Sequence, residues 1–345
     1  MVQESAGAEQ RITELHVYDG PSSMIRIAIA GCGEHSRSSH ATPLARYASQ
    51  HPGEIQLAAA CDLDTRKADE FCRSFGFLRP YADLNQMLEE QKPDACVCIM
   101  PIDHIVEKGI ELLERRIPCV IEKPLGTSLD EIERLARVAR ETQTPHMISV
   151  NRRFMPYLNE TRSWLQHIGP LRYVRATQVR HARNEEDFIW STAIHVIDAL
   201  RYMAGEIISF DVERIMKDAT ATWFIISIKF EDGPMGQVEI LPTSGMVEES
   251  YEFFGDRFRG RVTAGAGAQR TLELWRDNEL SREATSDESV PEDLRNGAYQ
   301  EVEEFIGALR KGSRPYPPIE QILPSARICF AIAESMTQLE TATKD

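Results

Sequence analysis

Two short runs hold the side chains best suited to moving a proton: Glu122-Lys123-Pro124 and Ser191-Thr-Ala-Ile-His195-Val-Ile-Asp198. Oxidising an alcohol requires a group that takes the hydroxyl proton as hydride departs. A lysine with a lowered pKa or a histidine near neutrality can serve. Lys123 follows the apolar run Cys119 to Ile121, and Pro124 biases it to an extended conformation at the carboxyl end of a strand. On its own the tripeptide reads first as a solvated surface lysine. On one helix, Ser191, His195 and Asp198 would share a face at i, i+4 and i+7. Asp198 then either orients the imidazole or pairs with Arg201. A histidine among Ile194, Val196 and Ile197 is also a common core residue.

A third run, Gly31-Cys-Gly33-Glu34-His35-Ser36, directly follows an apolar strand and precedes a helix. In that place Gly31 permits a tight turn, and Gly33 lets backbone amides approach a pyrophosphate at the helix N-terminus. Ser36 stands where a third glycine is usual and is small enough to pack. Asp62 ends the next strand, where a carboxylate accepts hydrogen bonds from ribose hydroxyls. It would repel a 2′-phosphate, so the cofactor expected is NAD rather than NADP, with Arg66 as the residue able to rescue a 2′-phosphate. The plain alternative for Asp62 is a turn carboxylate.

These residues need elements to hold them. Up to about residue 150, buried-strand runs (Ile25 to Ala30, Leu57 to Cys61, Ala95 to Met100, Cys119 to Ile121, Met147 to Val150) alternate with helical periodicity. Ala68, Phe71, Cys72 and Phe75 form one helix face closed by Gly76, and Ser128 with Glu131 reads as a capping box. The pattern gives a doubly wound parallel sheet. Beyond it come a long alternating segment, Leu171 to Arg183, and runs joined by turns, including Glu231 to Pro234, as in an open and mostly antiparallel sheet. Two helical segments, Tyr299–Arg310 and Pro318–Met336, finish the chain. The expected division is an N-terminal tail over 1–23, a dinucleotide domain over 24–147 and a substrate and oligomerisation α+β domain over 148–340.

Composition narrows the function. The net charge of -15, without a Lys/Arg-rich tract, argues against nucleic acid. No run approaches the roughly twenty apolar residues of a membrane span. The N-terminus lacks the basic start and apolar stretch of a secretory signal. Seven cysteines, an odd number in no zinc spacing, read as reduced core residues of a cytoplasmic protein with no metal site.

Taken together the runs resemble the Gfo/Idh/MocA oxidoreductases, the family of glucose–fructose oxidoreductase, inositol dehydrogenase and the rhizopine-catabolism proteins. The resemblance extends from about Met24 to near the end of the chain. It rests on Gly31-Cys-Gly33, Cys61-Asp62, Pro101-Ile-Asp-His104, Glu122-Lys123-Pro124-Leu-Gly126, Asn151-Arg-Arg-Phe154, Ile194-His195-Val-Ile-Asp198 and Phe254-Gly255-Asp256. It implies hydride transfer between nicotinamide and a hydroxyl or keto carbon of a sugar, sugar derivative or cyclitol. Lys123 and His195 would stand beside the nicotinamide, with Glu34, His35, Pro101, His104 and Glu122 in the cofactor groove. Arg152, Arg153, His181 and Arg183 lie where members often meet their ligand, although they read equally as surface charge. It also implies a homodimer or homotetramer through the second sheet. One position departs: where many members carry aspartate four residues before the histidine, this chain has Ser191. Either Lys123 and His195 suffice, or Asp187 supplies the carboxylate, or the chemistry has drifted. The same family resemblance also covers redox-neutral glycosidases and a non-enzymatic nucleotide or sugar sensor.

Overall fold

The computed structural model describes residues 24–342 except 184, 219–220, 232 and 266–268, so the expected tail over 1–23 and Asp232 of the Glu231–Pro234 turn lie outside the described residues. Among the described residues the first element is β1 (Ile25–Ala30), whose run is buried on both faces, as a strand sandwiched between helices must be. A helical stretch follows: α1 (Glu34–Ser36), a π-turn (Arg37–Ala41) and α2 (Thr42–Gln50). Next come β2 (Ile55–Cys61), α3 (Thr65–Phe75), β3 (Arg79–Tyr81) and α4 (Leu84–Gln91). The first unit continues with β4 (Ala95–Cys98), α5 (Ile102–Glu114), β5 (Cys119–Glu122), α6 (Leu129–Thr142) and β6 (His146–Ser149). These six strands form one parallel sheet in the order β3-β2-β1-β4-β5-β6, a Rossmann arrangement. The strand β6 spans the position 147/148 at which the sequence was divided.

Local signals explain the helix ends. Asp64 caps α3 by accepting the Arg66 N–H, and Gly76 closes it in the left-handed region at φ 84°. Ser128 accepts the Glu131 N–H at the start of α6. The Glu131 carboxylate, however, takes the N–H of Thr127 at 2.7 Å rather than that of Ser128, so the capping box is half formed.

The second unit opens with a 3-10 turn (Asn151–Phe154), α7 (Pro156–Ile168), β7 (Leu171–Val179), α8 (Phe188–Ser191) and α9 (Ile194–Ala204). Seven strands follow: β8 (Ile207–Asp218), β9 (Ala221–Phe230), β10 (Met235–Leu241), β11 (Glu248–Gly255), β12 (Phe258–Ala264), β13 (Thr271–Arg276) and β14 (Glu279–Thr285). With β7 they make an eight-stranded sheet, β14-β13-β12-β11-β7-β10-β9-β8, antiparallel except for the β7–β10 pair. The expected strand to Arg183 stops at Val179, after which Arg180 and Arg183 donate their N–H groups to Leu241 and Pro242 and the chain leaves the ladder.

Three helices close the chain: α10 (Glu292–Arg295), α11 (Ala298–Arg310) and α12 (Ile319–Ala342). They return to the first sheet. Tyr299, Val302, Phe305, Ile306 and Leu309 of α11 share a buried cluster with Ile27, Ile29, Leu44 and Phe71. Ile322, Cys329 and Ile332 of α12 join the other cluster, with Leu135 of α6 and Ile197 of α9. At about 1.5–3 kcal/mol for each fully buried large side chain, this docking fixes α11 against the site described next. All seven cysteines are unpaired, and only Cys72 is not buried. Among the described residues no helix is long and apolar enough to cross a membrane.

Candidate functional site

The carboxyl ends of β1, β2, β4, β5 and β6 meet one crevice. Gly31 leaves β1 at φ 97°, and a Cβ there would overlap the carbonyl oxygen of Ile99 after β4. Gly33 caps α1 from an extended conformation, and a Cβ on it would meet no atom within 4 Å. The first glycine is thus demanded by close packing, whereas the second leaves the helix start open to a ligand. Ser36 is fully buried and packs as expected, its hydroxyl without a partner; Glu34 points to solvent. Asp62 accepts the N–H of Cys32 at 2.9 Å with one oxygen and that of Asp64 at 2.9 Å with the other. Its carboxylate therefore fastens the glycine turn to the end of β2. Arg66 is exposed and turned onto Asp64, at 3.0 and 3.1 Å. Pro101 caps α5, and His104 lies in its exposed first turn. An open helix start, a glycine turn and a strand-end carboxylate fit a dinucleotide.

Glu122 ends β5 and is buried between two imidazoles. His40 Nε2 lies 2.8 Å from one carboxylate oxygen and His35 Nε2 lies 3.2 Å from the other. Burial alone would raise the Glu122 carboxyl, but the two histidines outweigh it and hold it well below the usual range. These three groups lie within 4.8 Å of one another, a donor set that would also suit a metal ion, although none was expected from the sequence. His40 was missed in the sequence because it sits inside the helical stretch, one turn and more beyond the glycines.

Lys123 reaches across to the second unit, where its ammonium donates to the backbone carbonyl of Ser191 at 3.3 Å. Withdrawal from water lowers its pKa; Glu122 opposes this, and Arg152, Arg183 and Arg180 add to it. Ser191 thus offers Lys123 its carbonyl. Among the described residues the Asp187 carboxylate hydrogen-bonds neither Lys123 nor His195. His195 sits in the first turn of α9, nine-tenths buried, with Nδ1 lacking any partner. Burial, then the charges of Arg152 and Lys123, press its pKa well below the ordinary histidine value, so it is neutral.

Several expectations need correction. Ser191 and His195 do not share a helix, because α8 ends at Ser191 and α9 starts at Ile194. Asp198 does not orient His195. It accepts two hydrogen bonds from Arg153, both 2.8 Å, and one from Ser325 at 2.7 Å. Arg201 gives its hydrogen bonds to Glu206 and keeps the expected pairing with Asp198 as a longer ion pair, at 3.8 Å. Arg153 is therefore a buried cation committed to Asp198 and flanked by the rings of Tyr202 and Tyr316, and it does not line the cavity that Arg152 faces. The tight 3-10 turn sends Arg152 and Arg153 to different partners. His181 is exposed, with Nδ1 3.1 Å from the Gly245 carbonyl. Arg183 pairs with Glu185 and lies over the Phe188 ring.

Arg152 does face the crevice, but it shares a partner that the sequence reading missed. Glu249 of β11 accepts from Arg152 at 3.0 and 2.6 Å, from Arg180 and from the Tyr251 hydroxyl. The two guanidiniums overcome the cost of its burial and keep it ionised. Alternation along β11 carried the signal, since Glu249, Tyr251 and Phe253 all point inward. The cavity itself measures about 150 Å³, and His35, Glu122, Ser149, Arg152, His195 and Glu301 line it.

Residues 25–150 match the model of the Gfo/Idh/MocA family, described as an oxidoreductase family with an NAD-binding Rossmann fold. An uncharacterized protein of Saccharomyces cerevisiae is 24% identical over 154 residues, 43% of this chain and 42% of that protein, so this chain spans less than half of that relative. The myo-inositol 2-dehydrogenase of Thermotoga maritima is 21% identical over 281 residues, 75% of this chain and 82% of that enzyme. In structure the chain is similar to a Gfo/Idh/MocA family oxidoreductase from Vibrio cholerae. The TM-score is 0.79 at 22% identity, covering 92% of this chain and 99% of that one.

Proposed function

We propose that this chain, a member of the Gfo/Idh/MocA oxidoreductase family, passes a hydride between a nicotinamide dinucleotide and a hydroxyl or keto carbon of a sugar, sugar derivative or cyclitol. The observation that carries the reading is the neutral, unpartnered His195 beside a lysine whose ammonium is itself destabilised. Groups in that state can take up or release a proton at a substrate oxygen. The bound nicotinamide supplies the hydride acceptor or donor. The chain's own groups do the rest. The Gly31–Gly33 turn and the start of α1 hold the pyrophosphate, Glu34, His35, Ser36, Pro101, His104 and Glu122 border the groove, and Asp62 meets the ribose. NAD is favoured over NADP, because Asp62 would repel a 2′-phosphate and Arg66 is engaged by Asp64.

Ser191 fits this chemistry through its backbone. A carbonyl orients Lys123 without adding the negative charge that would raise its pKa. Asp187 makes no such contact, so Lys123 and His195 carry the proton step in this reading. Glu249 sets one negative charge against the two positive charges of Arg152 and Arg180, so this wall keeps a net positive charge that suits a sugar acid as well as an uncharged ring rich in hydroxyls. Of the other basic candidates, Arg183 is paired with Glu185. The same reading includes a cytoplasmic location, from the unpaired cysteines, and a homodimer or homotetramer through the second sheet. That sheet carries the exposed apolar Ile208, Met235 and Leu280 on its strands.

The test is reduced-nicotinamide absorbance with NAD or NADP and a panel of sugars, sugar acids, aminosugars and inositols. A substrate-dependent signal with NAD is expected, reduced about 10²- to 10⁴-fold in Lys123→Ala. Firm NAD binding without turnover of any ring would sink the hydride reading and favour a redox-neutral reaction.

A further inference from the structure

Glu301 lies in the first turn of α11, which is pressed so closely onto the Asn151 carbonyl that Gly297, at φ 92°, has no room for a side chain. Its carboxyl is thereby carried to the end of β6. One oxygen lies 3.0 Å from the Ser149 hydroxyl; the other is buried with no hydrogen-bond partner. Ser149 pairs with Glu122 across the β5–β6 ladder, and both side chains line the cavity. Two carboxyl groups therefore serve one small cavity under different conditions. Glu122 has two imidazoles, whereas Glu301 has one hydroxyl, the Val150 backbone N–H and no cation in contact. The N-terminal end of α11 favours a negative charge, yet burial, and then the Glu122 charge, push the Glu301 carboxyl up to about 8.

We propose that Glu301 is a neutral positioning acid that donates its proton to Ser149 Oγ, freeing the serine's own hydrogen to be donated into the cavity to the carboxamide oxygen of the nicotinamide. Ser149 belongs to the nucleotide sheet, level with Glu122, which places its donor on the cofactor's side of the cavity rather than the substrate's. Once ionised, Glu301 can only accept. Ser149 must then turn its hydrogen to the carboxylate, and the cavity loses a donor. The other charged or titratable groups around Glu301 are Glu122 on β5, His35 and His40 on the helical stretch after β1, Arg152 on the 3-10 turn, His195 on α9, and the paired Arg270 and Glu292. This inference rests on the cofactor part of the proposed function.

Two measurements test it, and neither depends on turnover. Infrared difference spectra of wild type against Glu301→Gln at neutral pH should show a protonated-carboxyl band that the variant lacks; no such band overturns the proposal. Calorimetric titration with NAD should show wild-type affinity falling about three- to tenfold, the worth of one neutral hydrogen bond, as pH passes about 8. Glu301→Gln should bind without that limb, because its amide donates to Ser149 at every pH. Ser149→Ala should bind weakly throughout. Wild-type affinity flat across this range, or a limb that survives in Glu301→Gln, overturns it. A dead dehydrogenase with this NAD profile intact would instead be a failure of the hydride reading alone.

Discussion

Two carboxylates are buried near the cavity, one from each sheet, and they are held by basic groups of different character. Glu122 of the parallel sheet sits between His35 and His40, whose side-chain type, imidazole, exists in a neutral as well as a charged form. Glu249 of the second sheet sits between Arg152 and Arg180, which cannot. The charge on the cofactor side is thus adjustable, and that on the other side is fixed. A hydride-transfer site has use for both kinds. Proton movement needs groups whose charge can change, while a ring held for attack needs walls whose charge does not.

The sharpest way to break this contrast is to remove each carboxylate in turn. Glu249→Gln leaves two guanidiniums facing each other out of water, and losing one side of such a buried network costs about 3–5 kcal/mol. A large drop in melting temperature is expected, with His195 becoming still harder to protonate, since Glu249 is one of the groups that support its charged form. A melting point close to wild type would show that water already reaches the two arginines and that the fixed wall is not fixed.

Glu122→Gln should cost much less, about 1 kcal/mol, because an imidazole, unlike a guanidinium, has a neutral form and the amide keeps a hydrogen bond. Its clearer effect is on Lys123. Glu122 supports the ammonium, so without it the Lys123 pKa falls further. Where the neutral amine is the active form, the rise of alcohol oxidation with pH should therefore move to lower pH. A limb that stays in place would mean that Lys123 is not the titrating group.

The same contrast governs what could be read from the sequence. The first sheet announces itself locally. Gly31, Gly33, Asp62, Glu122 and Lys123 each follow a short apolar run, and the chain order of strand, turn and helix puts each at the crevice. Other groups are gathered from afar: Arg152 meets Glu249 of the second sheet across 97 positions, and Ser149 of the first meets Glu301 of α11 across 152. No local period connects such pairs. His195 was legible as a residue type, but its isolation was not, because that depends on Asp198 being taken by Arg153 and Ser325. Helical spacing suggested a Ser191–His195–Asp198 face, and the break between α8 and α9 removed it.

The smallest effect should come from Arg66, the residue that sequence reasoning offered as a partner for a 2′-phosphate. Arg66 follows Asp62 by four residues, yet both arms of its guanidinium rest on Asp64, the cap of its own helix. To meet a phosphate it would have to leave a bidentate partner only two residues away, and the capping carboxylate would then repel the same phosphate. Arg66→Ala should change NAD and NADP affinities by no more than about twofold, as for other exposed ion pairs. A selective loss of NADP affinity of about tenfold or more would show that the arginine does leave Asp64 for the 2′-phosphate. The preference for NAD would then rest on Asp62 alone, and the cofactor side of the cavity would be more adjustable than its histidines already make it.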